Sequence, residues 1–102
     1  MNKDTNQNNP TTLKEARERL LAKEYKVSEI GIWGGEERFY INGGKFCANG
    51  GVPLNYVADY QAKTFVHLDE NNEIEVVAFV SGPNFSRVKS DIEANILNAI
   101  KN

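Results

Sequence analysis

Lys63–Val80 reads KTFVHLDENNEIEVVAFV. Two runs rich in β-branched and aromatic residues, KTFVHL and EIEVVAFV, flank the polar DENN, which is the pattern of an antiparallel hairpin closed by a turn. The rest of the chain is read outward from this hairpin.

On its N-terminal side, Leu54 to Gln61 (LNYVADYQ) carries two periods at once. Leu54, Tyr56, Ala58 and Tyr60 alternate as a strand does, whereas Leu54, Val57, Ala58 and Gln61 suit a helical turn begun by Pro53. The strand is the preferred reading, with Asn55–Gln61 left open between the two. Further back, Asn42–Gly51 is NGGKFCANGG, a tripeptide repeated around the lone cysteine. Asn and Gly both tolerate left-handed backbone, so each NGG predicts a tight turn and KFCA a short strand between them. Arg38–Ile41 before it predicts a strand with Phe39 and Ile41 on one face and Arg38 and Tyr40 on the other. Gly34-Gly35 predicts the hairpin turn leading into it from another strand, KVSEIGIW, beginning at Lys26.

Helices flank these strands. Thr12 and Glu15 form a capping box, in which each side chain reaches an N–H left free by the first helical turn. Leu13, Ala16, Leu20 and Leu21 then fall on one stripe, with Glu15 and Arg19 paired on the solvent side and an end near Lys23–Tyr25. At the other end Val88, Ile92, Ile96 and Ala99 or Ile100 recur at three- and four-residue spacing. That helix starts either at Pro83 or at Ser90, where Glu93 completes a second capping box. The expected fold is therefore α+β: an N-terminal helix, an antiparallel sheet of four to five short strands and a C-terminal helix. Both helices lie on one sheet face as a two-layer sandwich.

The chain has 102 residues, a length that suits one domain. Residues 1–10 (MNKDTNQNNP) read as a disordered polar tail, and 11–102 as a single domain. The tail lacks the apolar core of a signal peptide, and no run is long enough to span a bilayer, so the expectation is a cytoplasmic protein without membrane contact. One Cys and one His cannot complete a His/Cys zinc site, and no metal or other cofactor is expected. The net charge of −2 does not favour nucleic acid as a partner.

Three candidate sites compete. Cys47 would be a nucleophile if His67 lay beside it, but no Cys/His protease signature surrounds either, and free cysteines are commonly buried. Arg87 and Lys89, in the first turn of the last helix if it starts early, put cations where the helix dipole disfavours them. An anion there, held also by Ser86, would relieve the conflict. Amides of Gly43, Gly44, Gly50 and Gly51 are further anion donors, although no phosphate-loop spacing is present. The third candidate is the aromatic set Trp33, Tyr40, Tyr56 and Tyr60 on the sheet face that helices leave uncovered. The expected function is a small non-enzymatic module that binds a protein partner or another copy of itself through that face. The alternative is a binder of an anionic metabolite or nucleotide using the glycine-turn amides and Arg87/Lys89.

Overall fold

The computed structural model describes residues 10–56 and 59–101. Helix α1 (Leu13–Ala22) is followed by strands β1 (Tyr25–Val27), β2 (Gly31–Trp33), β3 (Glu36–Gly44), β4 (Gln61–Leu68) and β5 (Ile74–Ser81), then helix α2 (Phe85–Lys101). The five strands form one antiparallel sheet in the order β1-β3-β4-β5, and β2 pairs with β3 beside β1. The α+β class and the helix–sheet–helix order follow the sequence reading.

Phe39, Ile41, Thr64, Val66, Val76 and Ala78 alternate along β3, β4 and β5 and are buried. Against them pack Leu13, Ala16 and Leu20 of α1 and Val88, Ile92, Ile96 and Ile100 of α2. Both helical stripes thus bury against one sheet face, as two amphipathic helices on a twisted sheet must if each is to hide its apolar side. Leu21, expected on the α1 stripe, is exposed.

Local signals explain the ends of the elements. Thr12 Oγ1 accepts from Glu15 N at 3.1 Å, and the Glu15 carboxylate accepts from Thr11 N at 3.1 Å, one residue before the expected reciprocal donor. Gly34 and Gly35 take φ of +59° and +82° and close a two-residue turn that pairs Trp33 with Glu36. In the β4–β5 turn, Asp69 Oδ1 accepts from Asn71 N at 2.8 Å and Glu73 N at 3.0 Å, which fixes the loop from within. At the opposite end of α2, Arg19 Nη1 donates to Ile100 O at 3.0 Å and Lys23 Nζ to Ala99 O, so α1 supplies cations to the carbonyl end of α2.

Several local expectations are corrected. KVSEIGIW is two strands, because Ser28 leaves the ladder: its N donates to Tyr40 O at 2.8 Å while its Oγ accepts from Tyr40 N at 2.8 Å. The first NGG is not a turn. Gly43 and Gly44 extend β3 opposite Lys26 and Tyr25, and Asn42 is the extra residue of a β-bulge. Glycine within a strand often marks such a bulge. KFCA is not a strand either, and Cys47 makes only isolated bridges to Gly44 and Pro53. The second NGG is a short 3-10 turn seated on β4, with Thr64 Oγ1 donating to Gly50 O. Leu54–Tyr56 is likewise a 3-10 turn rather than a strand, while Val57 and Ala58 lie outside the described residues. The last helix begins at Phe85, which removes Ser90 as its cap. Residues 1–9 of the expected tail are also outside the described residues, and Pro10 is buried.

Candidate functional site on the open sheet face

The sheet face away from the helices carries Trp33 from β2, Glu36, Arg38 and Tyr40 from β3, Lys63, Phe65 and His67 from β4, and Glu75, Val77 and Phe79 from β5. Their placement follows from the two-residue period of strands, since their neighbours on the same strands fill the core. The aromatic members form a connected row. Trp33 meets Tyr40 edge-on with centroids 5.1 Å apart, Tyr40 lies 5.7 Å from Phe65, and Phe65 lies 5.3 Å from His67 and 6.1 Å from Phe79. Edge-on and tilted geometries at these separations are the favourable ones for rings.

Gly31 makes room for this arrangement: a Cβ there would lie 2.9 Å from Trp33 Cη2. The indole therefore folds back along its own strand toward Tyr40 instead of standing off the sheet. Trp33 and Phe79 are nevertheless exposed, at 41% and 61%, on opposite flanks of the face. A groove of about 450 Å³ adjoins the row, lined by Ser28, Trp33, Tyr40, Asn42, Asn49 and Lys63 among others.

A charged cluster closes one end of the face. Glu36 Oε2 lies 2.8 Å from Arg38 Nη2 and 2.8 Å from His67 Nδ1, and Glu75 Oε1 lies 2.8 Å from His67 Nε2. The Glu36 contact satisfies the ion-pair distance without good hydrogen-bond geometry, leaving Nδ1 unsatisfied by angle. A neutral imidazole has a single N–H, so only the imidazolium can offer a proton toward both carboxylates. The close approach of His67 is the main influence that holds the Glu36 carboxyl below its usual range; partial burial opposes it, and the charges of His67 and Arg38 add to it.

The sequence-derived candidates divide accordingly. Trp33 and Tyr40 come together on the open face. Tyr56 and Tyr60 form a separate edge-on pair, 5.4 Å between centroids, at the margin of the core on the α2 side. Tyr56 OH donates to Asp91 Oδ2 at 2.9 Å, and this bond, more than burial, raises the phenol's pKa. Arg38, Lys63, Phe65, His67 and Phe79 complete the face instead. Alternation along β4 and β5 was their sequence signal, masked because both faces of these strands are apolar near the centre.

The other candidates separate as well. Cys47 is buried near Tyr25, Pro53 and Ile96, and burial pushes its thiol pKa up. No described contact joins it to His67, which lies on the opposite face. Gly44 N and Gly51 N donate to Cys47 O and Ala48 O, and Gly43 is paired with Lys26 in the sheet, so these amides are not gathered around a common site. Lys89 pairs with Glu93 on the next turn, while Ser86 and Arg87 are exposed near the start of α2. No described contact links Ser86, Arg87 or Lys89 to the glycines. Among the described residues no cluster of His, Cys, Asp or Glu could hold a metal ion, and no helix is long and apolar enough to cross a membrane. Compared with protein-family models, curated proteins and solved structures, the chain matches none.

Proposed function

We propose that the protein is a small non-enzymatic binding module that engages a protein partner or a second copy of itself through the open sheet face. The observation that supports this reading is the connected ring row from Trp33 to Phe79, flanked by exposed aromatic surface and backed by a rigid sheet. Interface energy concentrates in a few aromatic and Arg side chains held in place before binding, and Trp33, Tyr40 and Arg38 are such side chains. A cytoplasmic setting is part of the proposal, in keeping with a single unpaired thiol.

Light-scattering mass over a range of protein concentrations, paired with capture of candidate partners, tests the reading on wild type and Trp33→Ala. Truncating a true anchor costs about 2 kcal/mol or more of binding. Trp33→Ala is expected to weaken association while leaving thermal unfolding nearly unchanged. Loss of fold stability without any change in association would defeat the proposal. The alternative, an anionic small molecule, draws support from the early start of α2, which puts Arg87 in its first turn, at the positive end of the helix dipole. A selective rise in melting temperature with phosphorylated metabolites, abolished in Arg87→Ala, would favour it.

A further inference from the structure

The groove beside Trp33 lies where two strands part. β3 and β4 pair as far as Ile41 and Thr64. Beyond that point β3 continues only against β1, past its bulge at Asn42, and the turn Asn49–Gly51 seats on β4 instead, so close that a Cβ on Gly50 would lie 2.1 Å from Ala62 O. A depression of about 450 Å³ remains between that turn, Lys63 and the Trp33–Tyr40 pair. Small-molecule pockets run from about 300 to 1,000 Å³, and bulges recur where a side chain is re-aimed beside a site.

The groups around the depression are unequally committed. Trp33 and Tyr40, edge-on with centroids 5.1 Å apart, form its apolar wall. No carboxylate lines it, and Lys63 is the one charged residue that does. Among the described residues Lys63 has no ion-pair partner, and its ammonium lies 6.0 Å from the Tyr40 ring centroid. Lys26, on the far side of Asn42, also lacks an ion pair with any described residue, and it projects to the open face because Tyr25 and Val27 on either side pack on the core. Ser28 Oγ is occupied, accepting from Tyr40 N and donating to Glu29 O. The side-chain amides of Asn42 and Asn49 make no hydrogen bond with a described residue.

These uncommitted groups restrict the occupant. A lysine with no acid beside it selects an anion, and two rings select a flat apolar body. The amide N–H groups can donate to the second oxygen of a carboxylate or phosphate. An aliphatic anion would leave the rings uncovered, and a neutral aromatic would leave Lys63 unpaired. The short span from ammonium to Tyr40 sets the spacing: a ring seated on that wall reaches Lys63 only if its acid is attached directly or through one or two atoms. We propose that this groove binds a small aromatic acid, a single ring bearing a carboxylate or phosphate on a short link, with the ring against Trp33 and Tyr40 and the acid on Lys63 and Asn42. The site is separate from the association proposed for the face and requires no protein partner.

Trp33 is the chain's only tryptophan, so its emission reports on the groove wall directly. The wild type is titrated with phenylacetate and phenyl phosphate, and with phenylacetamide and acetate as the ring without the charge and the charge without the ring. At least one of the two aromatic acids is expected to change the emission saturably at millimolar concentration or below, and the tighter of them identifies the acid as carboxylate or phosphate. Phenylacetamide and acetate should bind several-fold more weakly. Lys63→Gln should raise the dissociation constant of the aromatic acid about fivefold, the worth of an ion pair open to solvent on one side, and Lys63→Arg should restore it. Arg87→Ala should change nothing, which separates this site from the start of α2. Thermal melts show that each variant is folded. No saturable response to either aromatic acid overturns the proposal, as does equal binding of phenylacetate and phenylacetamide or indifference to Lys63→Gln. Any of these failures leaves association through the face to its own measurement, because light-scattering mass is recorded without ligand.

Discussion

The guanidinium carbon of Arg38 lies 3.9 Å from the centroid of the Phe65 ring and, with neighbouring rings, leaves that ring 5% exposed on the side of the sheet that no helix covers. An arginine over an aromatic face combines charge–quadrupole attraction with the covering of apolar surface by its flat head. Arg38→Ala should therefore uncover Phe65, release Glu36 and cost about 1–2 kcal/mol of stability. Binding of a hydrophobic dye to the native protein would report the uncovered ring. Unchanged melting and dye binding would show that Arg38 contributes nothing to the face.

Acid sensitivity should run through Glu36. Its folded-state pKa is lowered, chiefly by the close contact with His67, so its stabilising contribution is present above the unfolded carboxylate value, about 4.3. That contribution disappears as pH falls from there through the lower folded value. His67→Gln should move the Glu36 titration upward and flatten this part of the acid limb. Carboxyl NMR titration with pH-dependent melts gives the check, and identical acid limbs in both proteins would refute the linkage.

The exposed edge of β5 is guarded by a side chain from α2. Glu93 Oε2 accepts from Ala78 N at 3.0 Å, occupying a backbone donor that would otherwise be open to another strand. Glu93→Ala should lose about 1–3 kcal/mol, the cost of leaving a partly buried donor unmet. Glu93→Gln keeps an acceptor oxygen and should lose less. Faster aggregation of the alanine variant alone, followed by turbidity near the melting transition, is the expected signature; equal behaviour of the two variants would show that the edge is guarded some other way.

Gly50 tolerates no side chain. It has φ of +73°, and a Cβ there would lie 2.1 Å from Ala62 O, a backbone atom that cannot swing aside. Gly50→Ala should cost about 3 kcal/mol, combining backbone strain with displacement of the turn from β4. Chemical denaturation measures it. A loss below about 0.5 kcal/mol, the range of an ordinary surface change, would mean that this turn is free to lift away.

Cys47 should be slow to react in the native state. Its thiol is buried and its pKa is raised by that burial, so little nucleophilic thiolate is present near neutral pH. Labelling with a thiol reagent should accelerate with denaturant as the protein opens. Cys47→Ala is expected to cost about 1–2 kcal/mol and leave any Trp33-dependent association intact. Rapid labelling of the folded protein, or loss of function in a folded alanine variant, would restore a chemical role for the thiol.

The regular parts of the fold were legible because each of their signals is local. Thr12 and Glu15 cap α1 within one turn, Gly34-Gly35 closes its hairpin, and the i,i+4 series Val88, Ile92, Ile96, Ile100 identifies the buried side of α2. The two NGG tripeptides are the contrary case. Identical in composition, one is a bulged strand end and the other a turn docked on β4, because one faces β1 while the other meets Ala62 and Thr64. Nothing within three residues encodes that difference. The same limit applied to the site: Trp33 and Tyr40 were recognisable as aromatic residues on the open face, whereas Tyr56 was drawn to Asp91, thirty-five positions away. Phe65 went unnoticed because its strand is buried on both sides, one by helices and one by Arg38.

The bonds from Arg19 to Ile100 O and from Lys23 to Ala99 O join positions 81 and 76 residues apart in the chain. A ribosome releases the chain from its N-terminus onward, so α1 is out of the exit tunnel long before the carbonyls it caps have been made. Until then its apolar side has no second helix to lie against, and the sheet lacks half its cover. The native packing can therefore close only once α2 has emerged, after a period in which Leu13, Leu20 and the inner row of β3 present uncovered apolar surface.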